Sequence, residues 1–393
     1  MRVLILSLDK TILEKDSAVQ RRLLALAEKV GDIAVFVPAE RDEKQDLSEH
    51  LTVYSFGGAK PIQLWKMWRR AKSLISYPSS LTSGIPQREH HHLASQTRHS
   101  SSTEEEKGEE EKKYDLITVQ DIYFLGFLGL KLAEKFKIPL EVQVHGFERM
   151  TGLRERLARY VLGKATKIRV VSERLKSFLN SVFSIQYSKI YTLPVYTQIE
   201  PPQRQMKRKT VPYPFTFLTV GRLVSVKNIG LQIRTFAWLA KEVPHIRLRI
   251  VGEGPLEASL KSQVESLKLG EKVTFEGYQK DLSRYYDEAD AFLLTSDYEG
   301  WGRVALEAAA YTLPIIMTNV GLANEVIHHD QEGIIIPIGD EEHLLGAMRE
   351  ILNSPELRTR LGEAAFKTFK ALPIPEEQIQ KQIEAWESLK ESV

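Results

Sequence analysis

The sequence predicts an α/β protein made of two doubly wound, parallel-sheet domains. Short apolar runs rich in β-branched residues alternate with longer stretches of helical periodicity along the chain. These runs are almost continuously apolar, which is typical of parallel strands covered by helices on both faces. With 393 residues, the chain exceeds the usual size of a single hydrophobic core, so two domains are expected.

Strands are predicted in both halves of the chain. In the first half they are Val3–Leu6, Ile33–Val37, Thr52–Phe56, Leu116–Val119, Leu140–Val144, Ile168–Val171 and Ile190–Leu193. In the second half they are Phe215–Val220, Arg247–Val251, Val273–Phe275, Ala291–Leu294, Pro314–Met317 and Gly333–Ile336. Between them the spacing of apolar residues predicts helices, for example over Ser17–Val30 and Ile122–Phe136.

The domain boundary is expected at a proline-rich, basic stretch. Glu200–Pro214 contains four prolines and a run of three basic residues, with little apolar content, as is typical of a linker. A final helical pattern, with Trp386 among its apolar positions, is expected to pack back on the N-terminal domain. The predicted division is an N-terminal domain over 1–200, a linker over 201–214, a C-terminal domain over 215–374 and a C-terminal helix over 375–393.

One stretch fits neither domain. Ser79–Lys113 is rich in Ser, His and Glu, a composition that predicts a mobile insertion. Its run His90-His91-His92 offers imidazoles to a metal, but composition favours a solvated loop.

Composition excludes several classes of protein. The formal net charge of +2 is too close to neutrality to indicate a nucleic-acid partner, and the absence of cysteine excludes disulfides and thiolate metal sites. No run approaches the ~20 apolar residues of a transmembrane helix. The apolar start, Met1–Leu8, is too short for a signal-peptide core and predicts a first buried strand. We therefore expect a cytoplasmic protein that is soluble or lies on the inner face of the cell membrane.

The strongest functional motif is Glu299-Gly300-Trp301-Gly302, followed by Glu307. It comes directly after a predicted strand and opens a helical pattern, which places two carboxylates at the carboxyl edge of a parallel sheet, where ligands bind. Glycines admit a ligand close to the backbone, a helix N-terminus favours an anion, and carboxylates accept hydrogen bonds from hydroxyls. The alternative interpretation is that Glu299 caps the helix and Glu307 is an exposed helical residue, with no ligand involved.

A basic loop follows the first predicted strand of the second half. Gly221 permits a tight turn, and Arg222 and Lys227 place two cations at the strand's carboxyl end. An arginine offers phosphate oxygens a bidentate fork and a lysine offers a point charge. Asn228 is expected to cap the next helix. The alternative is a solvated surface loop.

Two further strand ends carry glycine. Gly252-Glu253-Gly254-Pro255 forms a Gly-x-Gly turn before a helix, with the proline suited to the first helical position. Gly277-Tyr278 follows the next strand, where the tyrosine would flank a base.

Together, in this order, the motifs resemble the retaining nucleotide-sugar glycosyltransferases of family 4 (glycosyl transferases group 1). The resemblance extends from about Phe215 to Pro337, and in the first half it includes the strand-end pair His145-Gly146. It implies a GT-B fold, in which two Rossmann-like domains face each other across a cleft that closes on the donor.

The resemblance also implies a role for each residue. Arg222 and Lys227 would neutralise the donor diphosphate, Glu307 would hold the ribose, and Glu299 would read hydroxyls of the sugar. His145 would approach the sugar from the first domain; its alternative is a strand-end histidine bound to backbone. The catalytic candidates are His145, Arg222, Lys227 and Glu299. The implied donor site consists of Gly221, Arg222, Lys227, Gly252, Gly254, Tyr278, Glu299, Gly300, Trp301, Gly302 and Glu307.

The implied activity is transfer of a sugar from a UDP- or GDP-sugar to a glycan or lipid-linked acceptor, in cell-surface polysaccharide or glycolipid biosynthesis. The nucleotide-sugar is a co-substrate, and no other cofactor is expected. The family's glycine-rich first loop is replaced by Ser7–Lys15, which lacks the glycine pair. Two alternatives share the fold: an epimerase or phosphorylase, and a non-catalytic nucleotide-sugar-binding module.

No divalent metal is expected, because no Asp-x-Asp pair occupies a strand end. Asp287 and Asp290 are predicted on a helix that precedes a strand. Two basic stretches with aromatic residues, Lys60–Tyr77 and Arg149–Lys167, are candidates for contact with an anionic membrane surface. Their alternative is that both helices simply cover a sheet.

Overall fold

The structure, a computed structural model, describes residues 1–76, 114–146, 151–195, 199 and 214–390. The predicted insertion Ser79–Lys113 with its three histidines, and the predicted linker up to residue 213, lie outside the described residues.

The described residues form two sheets. The strands of the first are β1 (Val3–Leu6), β2 (Ile33–Pro38), β3 (Glu43–Ser48), β4 (Leu51–Phe56), β5 (Leu116–Val119), β6 (Leu140–Val144), β7 (Lys167–Val170) and β8 (Ile190–Thr192), in the order β3-β4-β2-β1-β5-β6-β7-β8. The strands of the second are β9 (Phe215–Val220), β10 (Ile246–Val251), β11 (Val273–Phe275), β12 (Ala291–Leu294), β13 (Ile315–Thr318) and β14 (Gly333–Ile336), in the order β11-β10-β9-β12-β13-β14.

Twelve α-helices connect the strands within the described residues. They are α1 (Ala18–Val30), α2 (Lys60–Ser76), α3 (Phe124–Phe136), α4 (Leu153–Lys164), α5 (Glu173–Phe183), α6 (Ile229–Glu242), α7 (Glu257–Ser266), α8 (Ser283–Glu288), α9 (Arg303–Ala310), α10 (Glu341–Asn353), α11 (Pro355–Ala371) and α12 (Pro375–Lys390). None of these described helices is long and apolar enough to cross a membrane.

Local sequence accounts for many element boundaries. Ser17 begins α1 by accepting a hydrogen bond from the Gln20 N–H on its side chain, and Ser354 caps α11 in the same way before a proline. The strands β1, β5 and β12 are buried along their whole length, because helices cover both faces of each sheet. The predicted doubly wound α/β architecture is therefore confirmed.

One strand was not predicted. Glu43–Ser48 pairs antiparallel with β4 at the edge of the first sheet and is mostly exposed. Its sequence, Glu-Lys-Gln-Asp-Leu-Ser, has no apolar run, since an edge strand facing water needs none and charges there oppose further pairing. The expectation of purely parallel strands is wrong at this position.

The chain divides into two compact units. The first comprises residues 1–142, 156–166 and 385–393, and the second comprises residues 143–155 and 167–384. The four-part division expected from the sequence stays a prediction.

The end of α12 is anchored within the first unit. Trp386 is almost fully buried, and its indole N–H donates to Oε1 of Glu141 at 3.1 Å. Glu141 lies in β6 with no exposed surface, and its other oxygen accepts from the Thr118 hydroxyl at 2.5 Å. Both carboxylate oxygens therefore have donors, which a buried carboxylate requires.

Candidate functional site

The second sheet reverses its strand order between β9 and β12. From β9 the chain builds outward through β10 and β11, then returns to add β12, β13 and β14 on the other side. In open α/β sheets the crevice at such a reversal, at the carboxyl ends of the strands, is where ligands bind. The two loops that leave these ends are Gly221–Asn228 and Thr295–Gly302, the two strongest motifs of the sequence.

An ion pair joins the two loops. The ammonium of Lys227 lies 2.5 Å from Oε1 of Glu299, and both side chains are largely buried, with 17% and 13% exposure. The Ser296 hydroxyl donates to the same oxygen at 2.7 Å. Within the described chain Oε2 of Glu299 accepts no hydrogen bond, so it can accept one from a ligand hydroxyl.

Backbone and side-chain hydrogen bonds hold the loops in register. The Asp297 N–H donates to the Val226 carbonyl at 2.8 Å, and the Thr295 hydroxyl lies 3.2 Å from the carbonyls of Lys227 and Asn228. These bonds fix the backbone that carries each partner of the ion pair. The separation of the two charges is therefore set by the loops as well as by the side chains.

Asn228 does not cap α6 as expected. It occupies the position before the helix, but in a left-handed conformation with φ of 48°, and no helix N–H donates to its side chain. Its amide instead donates to the Asp297 carboxylate at 3.0 Å. Asn228 thus joins the two loops, a role that local sequence does not reveal.

A buried glutamine supports the same junction from α6. Gln232 has no exposed surface, and its amide nitrogen donates to the hydroxyls of Thr295 at 2.8 Å and Thr219 at 3.3 Å. Thr219 belongs to β9 and Thr295 follows β12. The sequence does not reveal this contact, because a polar residue inside a helical pattern gives no sign of burial.

Glu307 is oriented by two donors. The Tyr286 hydroxyl donates to Oε2 at 2.8 Å, and Nε of Arg303, one helical turn earlier, donates to Oε1 at 3.0 Å. Burial, and then the neighbouring Glu307 carboxylate, raise the pKa of Tyr286 well above its ordinary value, so the phenol remains a donor. Each carboxylate oxygen keeps a second lone pair for a ligand hydroxyl.

Tyr286 is a site residue that the sequence analysis missed. It lies in the short helix α8 before β12, stacked against Tyr311 with ring centroids 5.3 Å apart. No local motif marks it. Asp287 lies in α8 as predicted, but the prediction is wrong for Asp290, which lies after the helix and directly before β12 and accepts a hydrogen bond from the Thr216 N–H.

The Gly-x-Gly turn packs directly against the basic loop. A Cβ on Gly252 would lie 2.0 Å from the Gly221 carbonyl oxygen, and one on Gly254 would lie 2.5 Å from that of Leu223. Gly252 also has φ of 133° and donates its N–H to the Gly277 carbonyl at 2.8 Å. These two glycines are needed for contact between backbone segments, whatever they contribute to a ligand.

The Gly300-Trp301-Gly302 segment is equally crowded. A Cβ on Gly300 would lie 1.7 Å from the carbonyl oxygen of His145, which belongs to the same unit. Gly302 precedes α9 with φ of 88° and lies beside the Glu299 side chain. Trp301 is 7% exposed, and its backbone carbonyl accepts from the Leu322 N–H at 2.8 Å, while its indole N–H is buried without an acceptor among the described residues.

The predicted residues are distributed as follows. Gly221, Lys227, Glu299 and Gly302 are gathered around the ion pair, and Arg222 lies beside them, exposed and without a polar partner among the described residues. His145 is exposed after β6, and Glu307 lies in the second turn of α9. The other predicted residues lie at strand ends: Gly252 and Gly254 follow β10, Tyr278 follows β11, and Gly300 and Trp301 precede α9. Their binding roles stay predictions. Within the described ranges no group of three or more His, Asp or Glu side chains is arranged to hold a metal ion.

Comparison with known proteins agrees with this arrangement. The family described as glycosyl transferases group 1 matches residues 203–368. An uncharacterized glycosyltransferase of Haemophilus influenzae is 29% identical over 175 residues, which cover 44% of this chain and 48% of that protein. The lipopolysaccharide core biosynthesis glycosyltransferase LpsD of Rhizobium meliloti is 28% identical over 170 residues, covering 43% of this chain and 48% of that protein.

Among solved structures, Alr3699/HepE of Anabaena in complex with UDP superposes with a TM-score of 0.71 at 16% identity, over 99% of this chain and 100% of that chain. The fold is therefore GT-B, and the segment 203–368 matches the family described as glycosyl transferases group 1. The chain spans about half the length of the two curated relatives. Assignment to family 4 stays a prediction.

Because the loops after β9 and β10 are in close contact, adding one methyl group at Gly252 should destabilise the protein. We expect Gly252→Ala to lower the free energy of unfolding by about 2–4 kcal/mol, because it strains a positive φ and overlaps the Gly221 carbonyl. Urea unfolding of the full chain measures this change.

Gly346→Ala is the matched control. Gly346 lies within α10 and a Cβ there would meet nothing within 4 Å. The substitution should raise stability by about 0.5–1 kcal/mol. A Gly252→Ala protein as stable as the wild type would show that the two loops are not packed in this way.

Proposed function

We propose that the protein is a retaining glycosyltransferase, which transfers a sugar from a nucleotide-sugar to a glycan or lipid-linked acceptor. The observation that carries the proposal is the Lys227–Glu299 pair at the reversal of strand order, within the segment that matches the family. The setting we propose is cell-surface polysaccharide or glycolipid biosynthesis, which the similarity to LpsD supports.

The donor diphosphate is proposed to lie beside Arg222 and Lys227. Negative charge grows on the leaving diphosphate as the bond to the sugar breaks, so cations that contact it stabilise the transition state more than the ground state. The exposed Arg222 guanidinium offers a bidentate fork. Lys227 uses one donor for Glu299 and has two others for phosphate oxygens.

The nucleoside is proposed to lie on the Glu307 side of the site. Tyr286 and Arg303 hold the carboxylate in one orientation, so that it can accept hydrogen bonds from both ribose hydroxyls. Tyr278, 69% exposed at the end of β11, is proposed to flank the base. The UDP and UDP-glucose complexes of HepE support a uridine donor here.

The transferred sugar is proposed to contact Glu299 and His145. Oε2 of Glu299 would accept a sugar hydroxyl while Oε1 remains bound to Lys227 and Ser296. We propose attack by the acceptor on the face that the diphosphate leaves. The C1–O bond to phosphate breaks, the new bond from the acceptor oxygen to C1 forms, and the acceptor proton passes to the departing phosphate oxygen.

A donor screen tests the nucleotide site. In thermal shift measurements with UDP-, GDP- and ADP-sugars, we expect UDP-sugars to raise the melting temperature of the wild type by several degrees. Glu307→Gln removes a charged acceptor from two hydroxyls, which should weaken donor binding roughly 10- to 100-fold, or about 1.5–3 kcal/mol.

The matched control is Glu242→Gln, which removes a carboxylate from an exposed ion pair with Arg349 in the same unit. It should leave the donor-induced shift unchanged. Equal donor-induced shifts in melting temperature for the wild type, Glu307→Gln and Glu242→Gln would contradict the proposed donor site. The absence of a shift with any nucleotide-sugar would contradict it as well.

Product analysis tests the reaction. With an α-linked donor and a glycan or lipid-linked acceptor, in buffer containing EDTA, NMR should show an α-linked product, since we propose same-face attack without a divalent metal. An inverted anomer would exclude retention, and loss of turnover restored by Mg²⁺ would exclude metal independence.

Release of free sugar or sugar phosphate without an acceptor would favour an epimerase or phosphorylase, and donor binding without turnover would favour a binding module.

We also propose that the first unit contacts an anionic membrane surface. On α3 and α4 an aromatic patch, formed by Phe124, Phe127, Tyr160, Lys131 and Lys164, presents rings that are 51%, 40% and 38% exposed. Lys131 lies 5.5 Å from the ring centroids of Phe127 and Tyr160, and Lys164 lies 5.0 Å from that of Tyr160. Glu134 pairs with both lysines, at 2.7 Å and 2.9 Å, so these three side chains carry a net charge of +1. Exposed aromatic rings beside a net positive charge suit the interface of an anionic bilayer.

The opposite faces of the two predicted basic helices cover the sheet. Met67, Ala71 and Ile75 of α2 are buried, as are Ala158 and Val161 of α4. Membrane contact by the outer face of α2 stays a prediction. The aromatic patch adds α3, which the sequence analysis did not include.

Vesicle co-sedimentation tests the aromatic patch. Binding should require anionic lipid and fall between 0.1 and 0.5 M salt, values we choose because the Debye length drops from about 10 Å toward about 4 Å over that range. Phe127→Ala and Lys131→Gln should each reduce binding several-fold, since one lysine near the surface contributes about 1 kcal/mol. Trp238→Ala, an exposed aromatic in the second unit, is the control. Equal binding to neutral vesicles would contradict the proposal.

A further inference from the structure

The first unit contains a cavity that none of the proposed site residues lines. It is open to solvent, has a volume of about 680 Å³, and lies between the edge strand β3 and its neighbour β4 on one side and the helix α2 on the other. A cavity of this size accommodates one or two sugar rings. Its walls combine aromatic rings with guanidinium groups and include two carboxylates, Asp42 and Glu43, of which Glu43 is paired with Arg41.

The aromatic wall is formed by Trp65, Tyr54 and Phe56. Trp65 is 57% exposed, although large aromatic side chains usually bury most of their surface. The C–H face of a pyranose is apolar and flat, and it stacks on an aromatic ring. An exposed tryptophan at a cavity wall therefore suits a saccharide.

The cations of the cavity are not equivalent. Lys66 is paired with Asp42 at 2.6 Å, and Lys44 with Asp46 at 2.7 Å, so these two ammonium groups are neutralised. Hydrogen bonding from Lys66 lowers the pKa of Asp42, which keeps that pair ionised. The lysines therefore contribute little net charge.

Two arginines keep their charge. Arg69 lies over the Trp65 ring at 5.5 Å, and Arg70 lies over the Tyr54 ring at 4.6 Å and donates to its hydroxyl at 3.2 Å. Neither arginine has a carboxylate partner among the described residues, and Nε of Arg70 is buried there without a hydrogen-bond acceptor. That buried Nε is closed to a ligand, so an anion in the cavity would meet the terminal N–H groups of the two guanidiniums.

We propose that this cavity binds a saccharide that carries an anionic group. The sugar ring stacks on Trp65, and a carboxylate or phosphate on the sugar is held by Arg69 and Arg70. If the bound saccharide is the acceptor glycan, the inference rests on the proposed transferase function. Binding of an anionic saccharide by itself does not depend on that function. A uronic acid and a sugar phosphate share this chemistry, and separate probes distinguish them.

Saturation-transfer NMR and calorimetry on the full chain test the proposal. The probes are glucuronate, glucose 6-phosphate, glucose and inorganic phosphate. We expect one or both of the anionic sugars to bind at least about tenfold more tightly than glucose or phosphate, because the sugar ring and the anionic group then contact the site at the same time. Tenfold corresponds to about 1.4 kcal/mol. Binding of glucuronate alone identifies a uronic acid, and binding of glucose 6-phosphate alone identifies a sugar phosphate.

Variants locate the binding. Trp65→Ala and Arg69→Gln should each weaken the anionic sugar about tenfold, and both change exposed side chains, so folding is preserved. Trp238→Ala is the matched control, since Trp238 is 54% exposed and also carries a cation over its ring. The donor-induced thermal shift should be unchanged in Trp65→Ala, which separates this site from the one at Glu299.

Three results would overturn the inference. One is equal affinity for glucose and for both anionic sugars, which would remove the role of the arginines. Another is phosphate binding as tightly as glucose 6-phosphate, which would remove the role of the ring. The third is an anionic sugar that binds Trp65→Ala and Arg69→Gln as it binds the wild type.

Discussion

The reversal of strand order between β9 and β12 is the constraint on which the candidate site depends. Parallel strands end at one edge of the sheet, so the loops that follow these two neighbours meet although Lys227 and Glu299 are 72 residues apart. Once they meet, each charge neutralises the other in a place where neither could be buried alone. The pair therefore combines a structural and a chemical role: it joins two loops and keeps a cation and an acceptor ready at the ligand-binding edge.

Close backbone packing makes that edge rigid. The loops after β9 and β10 approach so closely that Gly252 and Gly254 have no room for a side chain, and Gly300 has none beside His145. Hydrogen bonds from Asn228 and Gln232 add to this packing. A site held by such contacts loses little freedom on binding a ligand, which is how preorganised donors and acceptors retain their strength.

The first unit presents a different chemistry. Its charged edge strand β3 faces α2 across a cavity with aromatic and guanidinium walls, and α3 and α4 expose rings beside lysines. In both places cations lie over aromatic faces, an arrangement that remains favourable in water. Lys131 and Lys164 are also paired with Glu134, whereas Arg69 and Arg70 have no carboxylate partner among the described residues. The second unit pairs Lys227, at its strand reversal, with Glu299.

The sequence by itself determined every described strand except β3, the alternation of strands with helices, and the motifs at strand ends, because apolar periodicity and glycine, serine and proline signals act over a few residues. It placed Lys227 and Glu299 in the correct loops. It did not reveal β3, whose exposed edge needs no apolar pattern, nor the buried positions of Tyr286 and Gln232. Only the tertiary structure decided that Asn228 bonds across to Asp297 instead of capping its helix, since that choice depends on a loop far away in the chain. Contacts between distant segments leave no local signal, and the site is made of such contacts.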